Sequence, residues 1–457
     1  MVFDLAVIGG GIGGYFAAIR AAEEGLKVVL IEKEKKLGGT CLNRGCIPTK
    51  MLLKKALFFR EAWDKGLTGE LNLEQLIEEK DSALQKIAAS LEKLVQSHRI
   101  EILFEKAEFA SKNQLLCSGK TIEAKKILLA TGSKPLPLET LPCDHENIFN
   151  SNSILNLKTK PKSLAIIGGG YIGAEFASFF NALGVEVFLI EAKASLLSAM
   201  DPDLALGLHK GLQSRGVKVF TSSALQKSEK TASGTRLFLP DQTIEAEKVL
   251  VSVGRRLETE GLGLEKAGLT LEPNGSIKTD RHLKTAVDNI YAAGDITGKM
   301  LLAHLAARQG LVAAENIAGK NTLIDYRCVP SVVFSSPEIA SVGLSLEEAL
   351  TENPKAKSLK YPASALGLSI ALKETEGFVK LVYDGENKTI LGAHLLGKEA
   401  GSMISEMALA MSAGLKLDAL EKTIHPHPTK SELFSEIAFL AAGFPWHFPP
   451  IKTNSRL

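Results

Sequence analysis

The sequence predicts an α/β protein with two Rossmann-like dinucleotide-binding domains followed by a C-terminal α+β domain. Three observations carry this. An apolar strand, a glycine turn and a small-residue helix open the chain, the same unit recurs from Lys162, and from about Tyr326 the pattern changes to alternating strands and apolar helices without a further glycine fingerprint. A chain of 457 residues is long enough for several domains. The pattern divides them as 1–150 and 276–330 for the first nucleotide domain, 151–275 for the second and 331–457 for the last.

The first unit reads FDLAVIGG, YFAAIRAAEEG, KVVLIE: strand, helix, strand. Gly9, Gly11 and Gly14 fit G-x-G-x-x-G, in which the first glycine allows the tight turn, the second admits a pyrophosphate to the backbone, and the third lets helix pack on strand. Helix N-terminal amides then face the phosphates. Glu32, ending the second strand, is the carboxylate expected on the ribose hydroxyls.

The second unit, KSLAIIGGGYIGAEFASFFNALGVEVFLIE, places Gly168, Gly170 and Gly173 in the same fingerprint and Glu191 at the end of its second strand. A carboxylate there repels a 2′-phosphate and accepts a free 2′-hydroxyl, so NAD is expected rather than NADP. Two dinucleotides in one chain point to electron transfer between a bound flavin and a diffusing nicotinamide, because direct hydride chemistry needs only one.

Composition narrows the partners. Lys plus Arg exceed Asp plus Glu by 54 to 52, and no basic stripe interleaved with aromatics occurs, so no nucleic-acid footprint is expected. No apolar run is long enough to span a bilayer. Five cysteines are unlike a secreted disulfide framework, and the start of the chain leaves no room for a secretory signal, so a cytoplasmic protein is expected.

The most informative stretch, GGTCLNRGCIPTK, puts Cys41 and Cys46 five residues apart where a helix begins. In an ideal helix such residues have Cα atoms roughly 8 to 9 Å apart, beyond the usual disulfide limit of about 7 Å. A bond between them therefore requires a distorted first turn, for which Gly45 supplies the backbone freedom, and the helix N-terminus is expected to lower thiolate pKa values there.

This string closely resembles the redox motif of the flavoprotein disulfide reductases, the family of glutathione, mercuric and dihydrolipoyl reductases, and the resemblance covers essentially the whole chain. It implies that FAD is tightly bound at the first fingerprint and NAD at the second. Cys41 would exchange with substrate sulfur and Cys46 would contact the flavin as a charge-transfer thiolate. Gly39, Thr40 and Lys50 are implied flavin contacts, with Glu175 in the second fingerprint as the partner of Lys50.

Further flavin contacts are implied at Asp295 and Ala303, after the strand NIYAAGD, and at Thr131 and Gly132 in the strand KKILLATGS; Gly254, in VLVSVGRR, marks a second crossing. Ala107 matches an adenine contact, although Glu105 stands where the family has glycine. The segment from Leu71 to Ile100 has apolar residues at Leu76, Ile77, Leu84, Ile87, Leu91, Leu94 and Val95, the spacing of a packing helix.

In HPHPTKSELFSE, His427 matches the catalytic histidine and Glu432 the glutamate that orients it; His425 has no motif role, and no third ligand suggests that the two histidines hold a metal. Lys430 stands where many relatives are apolar. The resemblance implies a homodimer in which the C-terminal domain forms the interface and completes the neighbouring subunit's active site. The cysteine string, Glu191 and a tail, GFPWHFPPIKTNSRL, without an extra cysteine pair favour dihydrolipoyl groups as substrate and the lipoyl domains of a 2-oxoacid dehydrogenase or glycine-cleavage complex as partners. Reduction of another disulfide such as glutathione, or a non-catalytic flavin-binding subunit, are the alternatives.

Overall fold

The computed structural model describes residues 2–69 and 71–447; the tail from residue 448 onward lies outside the described residues. The chain divides into two compact units, Met1–Lys160 with Val253–Asp325, and Pro161–Ser252 with Tyr326–Leu457.

The first unit is built on a sheet whose parallel strands run in the order Glu101–Leu103, Val28–Ile31, Val2–Ile8 and Lys120–Leu129, with Ile290–Ala292 beside the last residues of Lys120–Leu129. The beginning of that long strand instead pairs antiparallel with Gln114–Cys117, which pairs with Ala107–Ser111. Val28–Ile31 is buried at every position, which is why it reads as a continuous apolar run rather than an alternating one. The helix Ile12–Glu23 buries Gly13, Gly14, Ala17, Ala18 and Ala21, a face small enough for the helix Ala303–Ile317 to approach closely. A Cβ on Gly310 would stand 2.2 Å from the Gly13 carbonyl oxygen.

The packing helix runs Leu73–Ser97, with the Asn72 side chain accepting from the Gln75 amide at 3.1 Å as its N-cap. Leu76, Ile77, Leu84 and Val95 are buried as the spacing predicts, whereas Ile87 and Leu94 face outward, because the buried stripe is narrower than the apolar one. Leu84, Ala88 and Leu91 close around Leu42, the residue that follows Cys41, so this helix buttresses the redox segment.

In the second unit the parallel strands Lys218–Phe220, Glu186–Ile190, Ser163–Ile167 and Lys248–Val251 lie side by side in that order. A three-stranded antiparallel sheet, Lys227–Lys230, Thr235–Phe238 and Thr243–Ala246, was not legible in the sequence pattern. The C-terminal part is an antiparallel sheet in the order Ser331–Val333, Ile339–Gly343, Ile390–Leu396, Phe378–Asp384 and Ala356–Pro362. Helices Ala400–Ser412 and Glu432–Ala442 pack on it through a core that includes Tyr361, Ile404, Met407, Phe434 and Ile437. Buried Lys380, on that sheet, pairs with Asp201 and Asp203 at 2.8 Å each, at the start of the helix Pro202–Ser214. Among the described residues no helix is long and apolar enough to cross a membrane.

Candidate active site

Both glycine fingerprints form the same local structure. Gly9 lies at φ 105° and Gly168 at φ 109°, conformations that favour glycine. A Cβ on Gly14 would fall 1.8 Å from the Gly9 oxygen, and one on Gly173 would fall 1.9 Å from the Gly168 oxygen, so the third glycine lets helix and turn touch. Gly11 and Gly170 are the N-caps of Ile12–Glu23 and Tyr171–Ala182; with no side chain to cap with, they leave the first-turn amides presented to a phosphate. A Cβ on Gly170 would meet nothing within 4 Å, which is the open approach a pyrophosphate requires.

Glu32 is buried; one carboxylate oxygen accepts from the Gly10 amide at 2.8 Å and the other from the Glu34 amide at 2.9 Å. Glu191 repeats this arrangement with the Gly169 amide at 2.7 Å and the Lys193 amide at 2.8 Å. Each acid is thus fixed beside its glycine turn, and the residues present fit one dinucleotide in each unit.

The redox segment is tied directly to the first turn. The Gly38 amide donates to the Gly10 carbonyl at 2.8 Å, and a Cβ on Gly39 would lie 2.7 Å from the Gly11 Cα. Thr40 and Cys41 follow in a short helix, Gly39–Arg44, while Cys46 begins the separate helix Cys46–Asp64 that carries Lys50. The distortion expected of one helix is therefore a complete break at Gly45, with φ −145° and ψ −113°, where a Cβ would stand 2.9 Å from the Thr40 oxygen.

Cys41 hydrogen-bonds Cys46 side chain to side chain. The expected lowering of thiolate pKa does not hold for Cys41. The hydrogen bond to Cys46, then burial and the negative charge of Cys46, raise it, and the opposing Lys50 ammonium does not offset them. Burial and the contact with Cys46 thus oppose ionisation of Cys41.

Asp295 accepts from the buried Ser133 hydroxyl, which also accepts from Arg255 Nε at 2.7 Å, while an Arg255 terminal nitrogen donates to the Ser133 carbonyl at 2.6 Å. The antiparallel strands Ser133–Pro135 and Arg255–Leu257 hold this cluster together, with Gly254 just before the second. Ser133 is a polar partner that sequence reasoning missed; its separation of 162 residues from Asp295 left no local signal. Thr131, beside Gly132, donates from its hydroxyl to the Glu258 carbonyl at 2.7 Å. Ala303 is the first residue of Ala303–Ile317, and Ala107 is buried on its strand. Burial and, second, the Glu105 charge push nearby Cys117 up to about 11.

In the second unit Glu175 is buried and accepts from the Phe334 amide at 3.1 Å. His427 Nδ1 lies 2.8 Å from a Glu432 carboxylate oxygen, and the other oxygen accepts from the Thr429 amide at 2.8 Å. Partial burial opposes ionisation of Glu432, but the hydrogen bonds from His427 and the Thr429 amide hold it below the ordinary carboxylate value. The side chain of His425 is instead buried, bonded through Nε2 to Glu406 at 2.8 Å and through Nδ1 to Ser435.

A carboxylate held low in the folded chain contributes stability that is whole above its ordinary pKa of 4.5 and is lost as pH falls through the folded value. Glu432→Gln is expected to lower Tm at neutral pH and to bring the mutant and wild-type Tm together below pH 4.5, as read by thermal melts across pH.

Comparison with known proteins agrees with this geometry. Residues 3–310 match the pyridine nucleotide-disulphide oxidoreductase family and residues 329–438 its dimerisation domain. A dihydrolipoyl dehydrogenase of Chlamydia trachomatis is 42% identical, over 98% of this chain and 99% of that protein. One from Thermus scotoductus is 41% identical over 95% and 96%. Among solved structures, LpdA from Mycobacterium tuberculosis superposes with a TM-score of 0.88 at 28% identity, covering 95% of this chain and 98% of that one. The HOCl-induced flavoprotein disulfide reductase RclA from Escherichia coli gives 0.86 at 28%, covering 94% and 99%.

Proposed function

The chain belongs to the pyridine nucleotide-disulphide oxidoreductase family, and on that premise we propose that it acts as an NAD-dependent dihydrolipoyl dehydrogenase. The observation that carries the reading is the contact between Cys41 and Cys46 across the Gly45 break, tied by Gly38 to the first dinucleotide turn.

In this reading His427, contributed by a second copy of the chain, takes a proton from one substrate thiol while Glu432 fixes the ring by its hydrogen bond to Nδ1. The substrate thiolate attacks Sγ of Cys41, the Cys41–Cys46 bond breaks, and Cys46 leaves as a thiolate. The second substrate sulfur then attacks the mixed disulfide, releasing the cyclic disulfide and leaving its proton on Cys41. A thiol at Cys41 agrees with the direction in which burial and Cys46 shift its pKa. FAD, when bound, accepts the two electrons from this pair and delivers them to NAD⁺ as hydride.

Gly9, Gly11, Gly14, Glu32, Gly39, Thr40, Lys50, Ala107, Thr131, Gly132, Asp295 and Ala303 are assigned to FAD, with residues 1–150 and 276–330 as its domain. Gly168, Gly170, Gly173, Glu191 and Gly254 are assigned to NAD, with residues 151–275. The partners that fit are lipoyl domains of a 2-oxoacid dehydrogenase or glycine-cleavage complex. We place the work in the cytoplasm, where Cys117, Cys143 and Cys328 would stay reduced thiols.

The test follows NADH formation by FAD-loaded protein given dihydrolipoamide and NAD⁺, beside NADPH with oxidised glutathione. Rapid NAD-dependent turnover supports the reading; robust glutathione reduction without it overturns the substrate, and silence in both leaves a non-catalytic flavoprotein.

A further inference from the structure

The side chain of His427 is 82% exposed and is held through Nδ1 by Glu432, so the place of its Nε2 depends on the loop that carries it. That loop is stitched internally: the Thr429 hydroxyl donates to the Pro426 carbonyl at 2.7 Å, and the Leu433 amide donates to the Lys430 carbonyl at 3.1 Å. Internal bonds fix its shape but not its position on the domain. At its entry, the buried side chain of His425 is fastened to Glu406 and Ser435.

At its exit stands Lys430, between the base and the acid that orients it. Its side chain is 5% exposed and, with Glu374, Phe378, Leu396, Met403 and Leu433, lines a small surface pocket. Its ammonium is 3.0 Å from a Glu374 carboxylate oxygen and 3.1 Å from the Ser369 hydroxyl. Lys398 pairs with the same carboxylate at 2.6 Å. Burial raises the Glu374 pKa, but the two lysines outweigh it and hold the carboxyl ionised. A lysine this deeply buried is normally paired, and moving it would break its ion pair and hydrogen bond, whereas an apolar side chain in its place could shift without losing a bond.

We propose that Lys430 is a positioning residue for the base: its ion pair to Glu374 and its hydrogen bond to Ser369 pin the exit of the His427–Glu432 loop to the C-terminal domain. The inference rests on the dihydrolipoyl reading, because only a step that uses His427 feels the loop. Lys430 touches neither substrate nor cofactor in this scheme. Its contribution is the reach and angle of Nε2, and misplacement of a reacting group by an ångström costs up to about a hundredfold in rate.

The test uses the FAD-loaded dimer and two reactions. Oxidation of dihydrolipoamide by NAD⁺ requires the base, whereas NADH oxidation by ferricyanide draws electrons from the flavin and does not. Lys430→Met keeps an unbranched side chain of similar length and removes the charge. It is expected to lower kcat for dihydrolipoamide by about tenfold or more, leaving its KM and the ferricyanide rate within twofold. A merely structural lysine would lower Tm and move both activities together or neither. A dihydrolipoamide kcat within twofold of wild type overturns the proposal. Should Lys430→Met fail to hold FAD, Glu374→Gln takes its place, with the same split expected at about threefold or more; an unchanged kcat again overturns it. Failure of the wild-type protein to oxidise dihydrolipoamide is the separate result that removes the functional reading, and the inference falls with it.

Discussion

Cys46→Ser is expected to abolish dihydrolipoamide turnover and the long-wavelength charge-transfer absorption while FAD stays bound. The loss should be at least on the order of a thousandfold, as for removing one member of a catalytic unit. Two features make the result selective. Cys46 begins its own helix after the Gly45 break, so a serine of nearly the same size leaves the backbone undisturbed. The first dinucleotide turn is held by Gly9, Gly14 and Glu32, which the substitution leaves in place. With serine at 46, Cys41 loses the sulfur with which the proposed exchange forms its disulfide and the thiol that hydrogen-bonds it. An absorbance spectrum and a flavin-release assay on one sample decide the matter: loss of flavin with the absorption would assign Cys46 a structural role.

The second large effect is expected at His427. His427→Gln should lower dihydrolipoamide oxidation by about 10² to 10⁴, the usual contribution of a general base. NADH oxidation by ferricyanide should change little. Glutamine can still hydrogen-bond to Glu432 but cannot carry the proton away. Because the side chain is exposed and Phe434 and Ile437 anchor the helix behind it, folding should be unaffected. Equal losses in both reactions, read by steady-state kinetics, would place His427 outside the proton-transfer step.

What the sequence disclosed and what it withheld follow from distance along the chain. The glycine fingerprints, the cysteine string and the His427–Glu432 dyad each lie within a few residues, where turn and helix geometry settle which groups meet. The clean break at Gly45 was only half legible. Spacing required a distortion, but whether one helix bends or two helices meet depends on the Thr40 carbonyl behind Gly45. The Arg255–Ser133–Asp295 cluster needs partners 122 and 162 residues apart, and periodicity carries no information at that range. Ile87 and Leu94 fit the apolar stripe yet face outward, since the pattern records hydrophobicity and not which neighbour is present. Lys430 was unreadable for the opposite reason: a lysine is expected in water, and only Glu374 and Ser369 explain its burial.

The carboxylates Glu32 and Glu191 bear on the cost of binding. Each takes the amide of the middle glycine of its GGG turn through one oxygen and the amide two residues beyond itself through the other. With one oxygen of each carboxylate taken by a turn amide and the other by an amide two residues on, neither side chain can rotate without breaking two hydrogen bonds. Each socket is preorganised at its acid, so little ordering cost at that side chain is left for an arriving nucleotide to meet.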